Sequence, residues 1–211
     1  MEFGIINFWA FLAAGILLNL TPGSDTMYIL SRSVSNGKKA GVLSAIGIST
    51  GSLIHTLFAA FGLSVLLAES QTAFSIVKYL GAAYLVFLGI KAILTKSSPQ
   101  STIKPAENIV KGRKIYLSGI LTNVLNPKVA LFYLAFLPQF IDPHYSSPYI
   151  SFILLGFAFT VTGTIWCLIL AVFSSSLSSK FRKNHKIKFW LDRITGVVFI
   201  SLGIKLASGK N

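Results

Sequence analysis

Six stretches of about twenty largely apolar residues follow one another along the chain. They lie close to Ile5–Leu30, Val42–Leu67, Phe74–Leu94, Ile115–Phe140, Tyr149–Phe173 and Phe189–Leu206. A helix of that length crosses a hydrocarbon core of roughly 30 Å. Charged residues make up 12% of the sequence, half of the roughly 25% usual in soluble domains. The pattern predicts an all-α integral membrane protein with six transmembrane helices.

The net charge of +13 is spread unevenly. Arg32, Lys38 and Lys39 follow the first run. Lys91, Lys96, Lys104, Lys111, Arg113 and Lys114 surround the loop after the third, and Lys180, Arg182, Lys183, Lys186, Lys188 and Arg193 the loop after the fifth. Glu69, Asp142 and His144 mark the other two loops, without Lys or Arg. Positive loops stay in the cytoplasm. The odd-numbered loops are therefore expected inside and both termini outside. Basic residues concentrated in a few loops, and not gathered along a face, argue against nucleic acid as a partner. The lipid bilayer is the partner expected. No signal peptide is expected, because the first residues carry Glu2 and no base.

Two of the runs are interrupted. The first holds Asn19-Leu-Thr21-Pro22-Gly23-Ser24-Asp25, and the fourth holds Asn123-Val-Leu-Asn126-Pro127-Lys128. Ile5–Leu30 as one straight helix would reach about 39 Å. Proline removes a backbone donor and clashes with the preceding turn, and Gly23 permits a change of direction. Each interrupted run is expected to form two half-helices, the second of the first pair starting near Ser24. Ser33–Lys39 is expected to be a short polar loop.

The halves echo each other. Gly15-Ile-Leu-x-Asn19 matches Gly119-Ile-Leu-x-Asn123, and Leu88-Gly89-Ile90-Lys91 matches Leu202-Gly203-Ile204-Lys205. Residues 1–95 and 113–211 form two three-helix repeats, and 96–112 a cytoplasmic linker rich in Ser, Pro and Lys. Three spans are an odd number, so the second half enters the membrane in the opposite sense. Inverted repeats of this kind are common in transporters. Gly47 and Gly51 form a small-residue ridge for a close helix neighbour.

Of the six acidic residues, five lie in loops or at the edges of runs, Asp192 at the edge of the sixth, and only Asp25 falls inside one. A charge at such depth needs a partner, water or a function. Asp25 is expected to cap the half-helix beginning at Ser24, to hold alternately a proton and a substrate amine, or to do both. Lys128 either snorkels to an edge, pairs with Asp25, or meets a substrate carboxylate. Half-helices after Pro22 and Pro127 offer N–H groups to an anion, and the carbonyls before each break suit an ammonium group. Asn19, Thr21, Asn123 and Asn126 supply further polar groups, or simply join helices. His55 is a candidate proton relay, with plain hydrogen bonding as the alternative. Tyr84 and Tyr133 are read as packing, with lining a cavity as the alternative, Trp9, Trp166 and Trp190 as interfacial anchors, and Cys167 as core. Scattered histidines and one cysteine give no metal-ligand spacing. No phosphate loop is present, so no cofactor beyond a proton gradient is expected.

At these motifs the chain resembles the LysE/RhtB family of amino-acid exporters, over nearly its whole length. The matching residues are Asn19 through Asp25; Ser31-Arg32-Ser33 with Gly37, Ala40-Gly41, Gly47 and Gly51; Gly81-Ala-Ala-Tyr84 with Leu88 through Lys91; and Asn126-Pro127-Lys128 through Phe140. Two positions depart from the family pattern: Ser24 stands where Pro is frequent, and Ser52 where an acid is frequent. The resemblance implies a bacterial inner-membrane carrier that expels amino acids, driven by the proton gradient. Asp25 then stands alone as the coupling carboxylate, which favours a neutral substrate. A passive channel and, behind it, a membrane enzyme are the competing readings. Assembly as a homo-oligomer is left open.

Overall fold

Pro22 and Pro127 divide the chain as their chemistry requires. The computed structural model describes residues 2–65, 71–94, 111–142, 144–173 and 185–208. Its helices are α1 (Phe8–Leu20), α2 (Ser24–Asn36), α3 (Lys38–Phe58), α4 (Gln71–Leu94), α5 (Gly112–Val124), α6 (Pro127–Leu131), α7 (Pro148–Val172) and α8 (His185–Ser208). Most of the predicted linker, and Lys180, Arg182 and Lys183, lie outside the described residues. Gly112, predicted as linker, already opens α5.

The first span is shorter than its apolar run. Ile5 makes an isolated antiparallel bridge with Ile141, and Ile6 N–H donates to the Phe140 carbonyl at 2.9 Å. Helix α1 starts only at Phe8, so about 20 Å of helix precedes Pro22. The expected polar loop at Ser33–Lys39 is also corrected. Helix α2 runs on to Asn36, α3 begins at Lys38, and Gly37 alone joins them. Gly37 has φ 83°, a conformation that side chains resist. One glycine therefore does what seven residues were expected to do.

Helix α3 continues as a π-helical turn, Ala59–Leu63, and α6 as another, Phe132–Phe136, followed by a 3₁₀ turn, Leu137–Phe140. By length and composition, Lys38–Leu63 and Pro148–Val172 can each cross a membrane. Gly112–Val124 and Pro127–Phe140, bent by 46°, make a third span if taken together. The protein is thus an all-helical, multi-pass membrane protein among its described residues.

Three helix pairs pack closely through glycines. A Cβ on Gly119 (α5) would lie 2.9 Å from the Ser44 carbonyl and 3.2 Å from Gly47 Cα on α3; one on Gly51 would lie 2.7 Å from Asn123 Cβ. The small-residue ridge thus receives α5. Helix α1 sits on α7 in the matching way, with Gly15 against Phe159 and Asn19 against Gly163. Along α4 and α8, Gly89 faces Gly196 and Ile200, while Gly203 faces Ala82 and Val86. Asn19 and Asn123 each abut a glycine of the facing helix, Gly163 and Gly51.

Over this frame lies an aromatic core. Phe11, Phe132, Phe136, Phe140, Phe152 and Phe159 are buried together, with Phe132 stacked on Phe159 at 4.3 Å between centroids. A second cluster holds Ile29, Ala45, Ile48, Cys167 and Leu170. Between the two lie the polar residues.

Candidate functional site

Proline at position 22 deprives the Leu18 carbonyl of its regular i+4 donor. That carbonyl keeps a 3.2 Å bond from Thr21 N–H and takes a second donor from the other half of the chain. Lys128 Nζ donates to Leu18 O at 3.1 Å and to Thr21 O at 3.0 Å. Thr21 is buried, its hydroxyl turned back on Leu17 O at 2.8 Å. Gly23 has an extended backbone, φ −147° and ψ −166°, which any residue adopts. What matters there is space: a Cβ would meet Lys128 Nζ at 3.3 Å.

The second break works by the same rule. Pro127 leaves the Asn123 carbonyl without its i+4 donor. Asn126 N–H reaches it at 2.9 Å, and His55 Nε2 donates to it at 3.3 Å. Asn126 caps α6, its Oδ1 accepting from Lys128 N–H at 3.1 Å, with Pro127 in the first helical position. Each break thus offers a carbonyl that a basic side chain occupies.

Asp25 lies in the first turn of α2. Its carboxylate accepts from Asn123 Nδ2 at 2.7 Å and from Ser24 Oγ at 3.4 Å. It is thereby turned toward α5 and not toward the N–H groups that open its own helix, so the capping role is not the one it takes. Nor does Lys128 bond directly to Asp25: its ammonium is spent on carbonyls. The two charges instead share the walls of one cavity of about 40 Å³, together with Asn19, Asn123, Ser52 and Thr160. Snorkelling of Lys128 to an edge is excluded by the same bonds. Ser24 is exposed. Asn19 Nδ2 donates to Thr162 Oγ1 at 3.2 Å, which ties α1 to α7. His55 stands behind Asn123 and lines a separate groove.

Several residues at the site escaped the sequence argument. Trp166, expected at an interface, lines the cavity, and its indole N–H is buried without a partner. Trp9, by contrast, is 78% exposed at the start of α1, as an anchor would be; the side chain of Trp190 lies outside the described residues. Cys167 is buried as expected and also touches the cavity. Ser49 Oγ and Thr164 Oγ1 are 2.7 Å apart. Tyr133, expected to pack or to line a cavity, lines a groove and also bonds to a group of buried hydroxyls. The available signal was spacing: Ser49, Ser52 and Thr56, and Thr160 and Thr164, fall at helical intervals on single faces.

The family model described as LysE type translocator matches residues 16–210. The chain belongs to the LysE type translocator family. Within this LysE-type translocator, similarity to other members extends over almost the full length. A Bacillus subtilis (strain 168) protein called uncharacterized membrane protein YrhP is 34% identical over 203 residues, 93% of this chain and 96% of that one. A leucine efflux protein of Klebsiella pneumoniae is 31% identical, covering 98% of this chain and 97% of its own. One of Salmonella typhimurium is 30% identical with the same coverage. No solved structure matches. The LysE-type translocator is therefore a membrane transporter and not an enzyme.

Proposed function

We propose that this translocator exports a neutral amino acid from the cytoplasm in exchange for protons, from a bacterial inner membrane, with both termini outside. The observation that carries the reading is the position of Asp25: a carboxylate at the meeting of two broken helices, on the same cavity as Lys128. The six-span, inverted-repeat architecture, with residues 1–95 and 113–211 as its halves, is supported by the reciprocal glycine contacts of α1 on α7 and α5 on α3.

An amino-acid zwitterion matches this site group by group. Its carboxylate draws Lys128 Nζ away from Leu18 O and Thr21 O. Its ammonium takes Asp25 and the carbonyls so released. A proton reaching Asp25 from the outer side removes the negative charge and frees the ammonium. One carboxylate among apolar walls (Leu18, Ile48, Val129, Phe159) favours a substrate without a second cationic group. The relatives named for leucine efflux make leucine the first substrate to try. A cavity of about 40 Å³ holds a few waters but is far below the ~300 Å³ of an ordinary ligand pocket. The half-helices must therefore part to admit substrate.

The test is labelled-leucine efflux from liposomes with an imposed pH gradient. Efflux that accelerates with the gradient and collapses with a protonophore supports exchange. Efflux indifferent to both points to the passive channel.

A further inference from the structure

We infer that a chain of buried hydroxyls, Tyr133–Ser52–Thr160, is the route by which protons travel between the outer half of the protein and the cavity at Asp25. The inference rests on the proton-exchange reading above and assigns it residues.

Ser52 and Thr160 line the cavity together with Asp25 and Lys128. Ser52 Oγ lies 2.8 Å from Thr160 Oγ1 and 3.0 Å from Tyr133 Oη. Tyr133 Oη also lies 2.9 Å from Thr56 Oγ1 and 3.4 Å from the Gly156 carbonyl. Tyr133 in turn lines a separate groove of about 330 Å³. Of the residues lining that groove, only His55 and Tyr133 carry polar side chains, and their rings stack at 5.4 Å. The hydroxyls thus run from the cavity to the groove.

Two further features fit conduction better than packing. A phenol has one hydrogen, yet Tyr133 Oη has oxygen neighbours on several sides, so its donor direction is not fixed. A relay needs that freedom, because each hydroxyl must turn after passing a proton on. The groove is also formed by both π-helical turns, Ala59–Leu63 and Phe132–Phe136; such turns recur at functional sites.

The step balances without a co-reactant. A proton from groove water binds the Tyr133 oxygen, whose own proton passes to Ser52 Oγ. The Ser52 proton passes to Thr160 or cavity water and ends on the Asp25 carboxylate. Each hydroxyl gains one proton and loses one. The titratable groups facing the path are His55 and Tyr133 at the groove and Asp25, Lys128 and Cys167 at the cavity.

Tyr133→Phe keeps the ring against His55 and Phe159 and removes only the hydroxyl. In liposomes loaded with a labelled mixture of the common amino acids, two rates are compared. One is exchange at equal pH, which moves no net proton; the other is efflux driven by a pH gradient. Exchange is expected to stay near wild type while gradient-driven efflux falls about tenfold or more. Equal loss of both rates makes the hydroxyl a packing group, and unchanged gradient-driven efflux removes it from the path; either result overturns the inference. Should the variant not insert, difluorotyrosine at position 133 keeps the hydroxyl and weakens its hold on the proton. A shifted pH profile of gradient-driven efflux then supports the path, and an unshifted one overturns it. Wild-type protein indifferent to the gradient sinks the exchange reading itself, a result separate from either variant.

Discussion

Lys128 Nζ donates, at 3.1 Å, to the Leu18 carbonyl, the one that Pro22 leaves without its helical donor. A cation in an apolar run is thereby held by backbone and not by the nearest carboxylate. Asp25 remains available on the same cavity, held by Asn123. The site keeps its two charges close without letting them cancel.

Asp25→Asn removes the charge but keeps an oxygen that can accept from Asn123 Nδ2. The variant is expected to insert and fold as wild type, with gradient-driven efflux abolished. Efflux from liposomes, alongside a thermal-unfolding scan in detergent, checks both halves; normal gradient-driven efflux would defeat the role given to Asp25.

Gly23→Ala tests the space beside Lys128. The added Cβ falls 3.3 Å from Nζ, while the backbone at this position accepts alanine without strain. Transport is expected to fall about tenfold, the equivalent of roughly 1.4 kcal/mol, with little change in melting temperature. A drop in stability that matches the drop in transport would contradict this.

Lys128→Met keeps the stem and removes the donor. Both carbonyls lose their ammonium partner and the substrate carboxylate loses its cation. Substrate binding is expected to weaken by about tenfold or more, given the ~1.5–3 kcal/mol of a hydrogen bond to a charged group. Calorimetric titration of the solubilised protein with leucine measures it, and wild-type affinity in the variant would exclude the role.

Gly51→Val addresses the frame. A Cβ already meets Asn123 Cβ at 2.7 Å, so a branched side chain must push α5 from α3. The expected cost is about 1–3 kcal/mol, seen as lower yield and melting temperature. Wild-type stability would show that α5 does not need this approach.

A tag after Asn211 is expected to react with a membrane-impermeant reagent in intact cells. Labelling only after permeabilisation would reverse the orientation assigned from the basic loops.

Much of the site was legible because proline, aspartate and lysine are conspicuous in apolar runs. Pro22 and Pro127 announced the breaks, and Asp25 announced itself by isolation. The partner of Lys128 was not legible. Two opposite charges invite pairing on paper, whereas a backbone carbonyl orphaned by proline has no letter of its own. The hydroxyl network hid for another reason. Ser and Thr in helices routinely bond their own i−4 carbonyls, as Ser44, Ser49 and Thr56 do here, so their presence reveals nothing about a neighbour. The short link at Gly37 was missed because the end of α2, Ser31-Arg-Ser-Val-Ser-Asn36, is as polar as a loop.

That link has a mechanical consequence. A joint of one residue between α2 and α3 has no slack. Any shift of the start of α3 must move the end of α2 with it, and Asp25 lies at the other end of that helix. The fulcrum is then Pro22, which has no N–H to bond back across the break, and the lever's load is the carboxylate itself.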